Sequence, residues 1–120
     1  RILPKAETDG DVAHCLTLLS GRRHRVFTAV AVIGVAEANG EEQKIRTRII
    51  STHVAFKRLC ADEISHYVAS KEGLGKAGGY AVQGLAETFV RQINGSYSAI
   101  VGLPLLETLS LLESAGYRTF

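Results

Sequence analysis

Residues 24–35 read HRVFTAVAVIGV and residues 43–57 read QKIRTRIISTHVAFK, with Ala38-Asn39-Gly40 between them. The first run is rich in β-branched residues and nearly continuous in apolar character, as a buried strand requires. The second sets Arg46 and Arg48 on one face of a strand and Ile45, Thr47 and Ile49 on the other. An Asn-Gly step between two such runs is a turn signal. The two strands are expected to form a long hairpin, and that hairpin decides the fold class: mixed α and β around a hairpin-dominated sheet.

The flanking segments supply helices. From Thr8 the chain places Val12, Cys15, Leu16 and Leu19 at helical spacing; Thr8 and Asp11 form a capping box, and Gly21 supplies a left-handed stop. Residues 61–70 put Ile64, Tyr67 and Val68 on one helical face. Residues 88–93 read as a further strand ended by Asn94-Gly95. Pro104 suits the first position of a helix running through Leu105, Leu109 and Leu112 to Gly116. No internal repeat or linker interrupts this order, so residues 1–120 are expected to belong to a single domain.

A chain of 120 residues can bury a real core, and an apolar content of 46% fits a globular protein. The net charge of +2 is too small to imply a nucleic-acid partner. Basic residues gather at Arg22, Arg23, His24 and Arg25 and again at Arg46 and Arg48, with few aromatics among them, which suits a solvated strand edge or phosphate contacts. No apolar run reaches the ~20 residues that span a bilayer and no leader opens the chain, so the reading is a soluble, cytoplasmic protein without a membrane partner. Cys15 and Cys60 lack metal-ligand spacing and are expected as free thiols. The chain opens on Arg and contains no Met, so a processed product or fragment is expected.

Between the second helix and the last strand lies GKAGGYAVQG, residues 75–84. Gly73, Gly75 and Gly78 match a G-x-G-x-x-G spacing, but a helical pattern precedes them where a dinucleotide fingerprint needs a strand. A Walker A loop is excluded too, with Ser70 in the leading glycine's place and Ala77 in that of the Ser or Thr that holds magnesium. As chemistry, Gly78 and Gly79 allow positive φ and close approach of backbone N–H groups to an anion. Lys76 adds a compact cation, and the Gln83 amide offers donors and an acceptor to a base. A tight turn with a solvated Lys76 and an edge Gln83 fits the same residues. Lys5, beside Pro4 and just before a helix N-terminus, either meets a phosphate or faces solvent. His24 is read first as a hydrogen-bonded structural histidine. The carboxylates Glu7, Asp9, Asp11, Asp62, Glu63, Glu87 and Glu107 sit mostly at helix starts, and none pairs as a metal site.

The ordered set RILPKAE, LSGRRHRVFTAVAVI, KAGGYAVQG and FVRQINGSYSAIVGLPLLET closely resembles the Maf family, the septum-formation-inhibitor-like nucleoside triphosphate pyrophosphatases, over residues 1–117. The resemblance implies an α/β fold like that of inosine triphosphatases, with a long hairpin and flanking helices. It implies hydrolysis of a triphosphate to the monophosphate and pyrophosphate, a divalent metal (magnesium or manganese), and a link to septum formation. By motif, Lys5 is the catalytic lysine, although Leu-Pro-Lys-Ala stands where the family has Gly-Lys-Pro. Lys76, Gly78, Gly79, Tyr80 and Gln83 form the substrate loop, with Gln83 setting base choice. The Tyr-x-x-Gln form of the loop resembles the dTTP/UTP subgroup rather than the 7-methyl-GTP one, which stands as an alternative. The family's Ser-x-x-Arg loop and Gly-Ala-Asp-Thr strand have no counterpart in these residues. The chain is therefore expected to be a C-terminal portion lacking the N-terminal part of the fold, with no metal ligand of its own and no turnover alone. A truncated, non-catalytic module that binds nucleotide or a division partner is the competing reading, and a homodimer is a further expected partner.

Overall fold

The computed structural model describes residues 2–34 and 44–118. The elements are α1 (Asp9–Leu19), β1 (Arg23–Ile33), β2 (Ile45–Phe56), α2 (Ala61–Ala69), a 3-10 helix at Leu85–Phe89, β3 (Val90–Asn94), α3 (Tyr97–Val101) and α4 (Leu105–Ser114). The sheet order is β1-β2-β3, with β2 and β3 antiparallel. This is the α and β mix read from the hairpin. The expected turn at Ala38-Asn39-Gly40 and the strand ends at Val35 and Gln43 lie outside the described residues.

The chain divides into two compact units, one of residues 1–25 and 53–94, the other of residues 26–52 and 95–120. In the first, α1 forms as its sequence dictates. The Thr8 side chain accepts from the Asp11 N–H at 3.1 Å, and the Asp11 carboxylate accepts from the Thr8 N–H at 3.2 Å. These bonds satisfy donors that a helix start otherwise leaves open. Val12, Cys15, Leu16 and Leu19 are all buried, and Gly21 turns the chain at φ +68°. Helix α1 packs on α2, and Val54, Phe56, Leu59, Tyr67, Val82 and Phe89 complete this core.

In the second unit Thr52 is fully buried and its hydroxyl accepts from the Ser96 N–H at 3.1 Å, while Gly95 has no room for a side chain because a Cβ there would lie 2.9 Å from Thr52 Oγ1. Ser96 then caps α3, a short helix that the sequence reading missed. Thr28 donates to the carbonyl of Ala99 at 2.6 Å, and Leu111 of α4 is buried.

Three expectations change. Strand β1 is not buried on both faces: its odd-numbered residues are exposed, Phe27 by 64% and Ile33 by 55%, and the even-numbered ones are partly or fully covered. An apolar sequence does not report which face has a partner. Strand β3 starts at Val90, because Thr88 and Phe89 close the 3-10 helix instead. Pro104, expected at the first helical position, is the N-cap of α4, with an extended ψ of 105°, and Leu105 after it is 63% exposed.

Candidate functional site

The residues of the glycine loop come into place through the extended segment that precedes α1. Lys5 forms an isolated antiparallel bridge with Ala77. Around it, the N–H of Ala6 donates to Lys76 O at 3.0 Å, Gly75 N–H to Ala6 O at 2.7 Å, and Gly78 N–H to Pro4 O at 3.3 Å. These three backbone bonds join the Lys5 segment to the Lys76 turn, stretches remote in sequence. Ala6 is buried and anchors the segment, whereas Lys5 and Lys76 are exposed and make no ion pair among the described residues.

The glycines are there for packing and for turning. Gly75, Gly78 and Gly79 have φ of +77°, +72° and +75°, a region that side chains disfavour. At Gly73 a Cβ would lie 2.2 Å from Gly79 O, and at Gly79 it would lie 3.0 Å from Cys15 Cβ. The loop is therefore pressed onto itself and onto α1. Gly78 and Gly79 are buried, and their N–H groups already donate to Pro4 O and Lys76 O, the latter at 3.0 Å. Those two amides hold the loop together. The groups it presents outward are Lys76, Ala77 and Gln83.

Tyr80 is buried, at 7% exposure, and its hydroxyl lies 2.7 Å from His24 Nε2. Burial raises its phenol above the ordinary tyrosine range. Burial also pushes the His24 imidazole down to about 4. The pair is thus neutral at neutral pH, and His24 is the hydrogen-bonded structural histidine that the sequence suggested. Beyond Tyr80, the Ala81 N–H donates to the Tyr67 hydroxyl at 3.0 Å and Val82 is 2% exposed, so Gln83 projects from a turn with buried flanks. Its amide has no partner among the described residues.

Glu72 escaped the sequence reading. Its Oε1 accepts the Leu85 N–H at 3.0 Å, and a Cβ on Gly84 would fall 1.4 Å from that oxygen. Gly84 is a glycine so that this carboxylate can close the loop, a relation that no local spacing announces. Two of the acids near Lys5 in sequence are engaged elsewhere, Asp11 in the capping box and Asp9 with Lys71 at 2.5 Å, while Glu7 is exposed. Glu63 is paired with Lys57. Its carboxyl is held down at about 2, first by the Cys60 N–H and then by that lysine. Among the described residues no three of His, Cys, Asp and Glu gather as a metal ligand set. No helix among them is long and apolar enough to cross a membrane.

Comparison with known proteins bears on what this arrangement serves. The chain is 54% identical over 118 residues to a dTTP/UTP pyrophosphatase of Caulobacter vibrioides, covering 98% of this chain and 58% of that protein. It is 56% identical over 117 residues to a dTTP/UTP pyrophosphatase of Rhodopseudomonas palustris, covering 98% of this chain and 54% of the relative. A nucleoside triphosphate pyrophosphatase of Neorickettsia sennetsu is 52% identical over 116 residues, 97% of this chain and 53% of its own length. The chain thus spans a little over half the length of these curated relatives. Residues 1–115 match the family described as Maf-like protein, and the chain belongs to that family.

Proposed function

We propose that this chain acts in a nucleoside triphosphate pyrophosphatase that splits dTTP or UTP between the α and β phosphates, giving the monophosphate and pyrophosphate. The observation that carries this reading is the backbone ladder joining the Lys5 segment to the turn that bears Lys76, at the rim of the glycine loop. Water attacks the α phosphorus, the bond to the bridging oxygen breaks, and pyrophosphate leaves with that oxygen. Charge accumulates on the phosphate oxygens, and the two exposed ammonium groups offset it where it develops. Lys5 has the catalytic part and Lys76 holds the phosphate tail.

Gln83 reads the base. Its amide oxygen accepts from the N3–H of a uracil or thymine ring and its NH2 donates to O4, an edge that the two bases share. Gly78, Gly79 and Tyr80 keep the loop in the shape that presents Gln83. Magnesium or manganese enters the proposed reaction with the triphosphate. The described residues do not gather a ligand set for it, and no step here runs through it. Asp9 and Asp11 are committed to Lys71 and the helix cap, and among the described residues no bond ties the exposed Glu7 carboxylate to Lys5, so none of them is given the proton of the attacking water. Without an assigned base, we read these 120 residues alone as binding nucleotide without turnover. We place the reaction in the cytoplasm.

Calorimetric titration with dTTP and UTP, run beside a pyrophosphate-release assay, tests this. Binding that weakens in both Lys5→Gln and Lys76→Gln is expected. Unchanged nucleotide affinity in the double variant would remove the lysines from the site.

A further inference from the structure

The first unit carries a second group of cations that the nucleotide reading leaves unused. Arg22 and Arg23 at the entry to β1, Ala55 and Phe56 at the end of β2, and Arg91 and Gln92 on β3 line an open cleft of about 440 Å³. Small-molecule sites fall at about 300–1,000 Å³. The strand register gives the cleft its shape. Ala55 pairs with Gln92, and the ladder shifts between Ala55 and Phe56. Such an irregularity interrupts pairing and re-aims side chains. The small Ala55 side chain leaves the central strand low, while the flanking strands carry long polar side chains.

Among the described residues no ion pair answers these charges: Lys57–Glu63 and Lys71–Asp9 involve none of Arg22, Arg23 and Arg91. The neighbouring His53 registers the resulting field. It lies two residues before Ala55, on the same face of β2. Its imidazole is held below the ordinary range by desolvation and by the guanidinium groups of Arg23 and Arg25. Guanidinium groups present paired N–H donors that match phosphate oxygens. Three of them and one amide line a single concavity, a donor set suited to phosphate oxygens.

We propose that this cleft binds a multiply charged phosphoryl anion, either inorganic pyrophosphate or the phosphate tail of a nucleotide, at a site separate from Lys5 and the glycine loop. The two sites share no lining residue, so the proposal does not rest on the pyrophosphatase reading.

Titration of the chain with sodium pyrophosphate at low ionic strength, with sodium sulfate in parallel, tests it. Pyrophosphate is expected to bind, to weaken steeply with added salt, and to shift the His53 ring signals in the NMR spectrum. The Arg23→Gln/Arg91→Gln variant should lose about ten-fold or more in affinity, as expected when hydrogen bonds between charged groups are removed at two positions. Lys5→Gln/Lys76→Gln should retain the binding. UTP titrated into that lysine variant separates the sources: affinity equal to that of pyrophosphate assigns the nucleotide tail, and weaker affinity assigns the free anion. Absence of pyrophosphate binding, sulfate binding as tightly, or binding lost with the lysines but kept without the arginines would each overturn the proposal. Should the double arginine variant misfold, Arg91→Gln alone and the His53 shifts of the unmodified chain read the same outcome.

Discussion

His24 and Tyr80 meet through a hydrogen bond of 2.7 Å between the imidazole Nε2 and the phenol oxygen. Phe56 packs edge-on against both rings, with centroids 5.2 Å from His24 and 4.9 Å from Tyr80. Desolvation lowers the His24 imidazole from 6.5 to about 4, so the folded chain refuses a proton that the unfolded chain accepts. The contribution to stability is complete above pH 6.5 and is lost as pH falls through that value toward 4. Urea midpoints should therefore fall between pH 7 and 4.5, and less steeply in His24→Gln. Parallel pH curves for the two proteins would sink this account. Tyr80→Phe keeps the ring packing and should cost about 1 kcal/mol at neutral pH.

Two glycines of the same loop should respond differently to alanine. Gly75 has φ +77° and open space around it, so Gly75→Ala meets only the left-handed penalty of about 1–2 kcal/mol. At Gly73 the new methyl would lie 2.2 Å from the carbonyl oxygen of Gly79, which is backbone and cannot swing aside. Gly73→Ala should be the more destabilising by thermal melting. The reverse order would mean that the loop is free to rearrange.

Gln83→Ala probes base reading. It should weaken dTTP and UTP by roughly 1 kcal/mol per hydrogen bond lost, and more where a buried partner is left unpaired. A purine triphosphate should lose less. Equal loss across all nucleotides would make Gln83 a structural residue of the turn.

The two thiols should be distinguishable by reagent. Cys15 is buried against Gly79, and its thiol is pushed up by burial and by the Asp11 carboxylate, whereas Cys60 is exposed. Thiolate is the reactive form. A disulfide reagent should modify Cys60 at once and Cys15 only on unfolding. Two fast thiols in the folded chain would show that the loop does not cover α1.

Exposed apolar side chains in the second unit predict association. Ile45 is 66% and Ile49 76% exposed on β2, and Leu105 is 63% and Leu106 78% exposed on α4. Exposed apolar side chains on both elements favour self-contact where they adjoin. Sedimentation should show a mass that rises with concentration, and less so for Ile49→Lys or Leu106→Lys. A monomer at all concentrations would mean that these side chains are tolerated singly in water.

Some of this protein was fixed by residues close together in the chain. Helix α1 was legible because the Thr8–Asp11 cap, the spacing of Val12, Cys15, Leu16 and Leu19, and the stop at Gly21 all act within a few residues. The hairpin strands and the existence of β3 were legible for the same reason, and the loop residues Lys76 and Gln83 announced themselves by composition. Tertiary structure decided the rest. The segments that carry Lys5 and Lys76 meet only because backbone groups of Pro4 and Ala6 find partners in a distant loop. Gly73, Gly79 and Gly84 are glycines because of atoms that fold back onto them. The uniform apolarity of β1 could not say that its odd-numbered residues would face outward, since hydrophobicity is a property of a side chain and burial a property of what is packed against it. His24 and Tyr80, 56 residues apart, acquire their shared hydrogen bond and shifted ionisation from the same long-range closure, which no local pattern encodes.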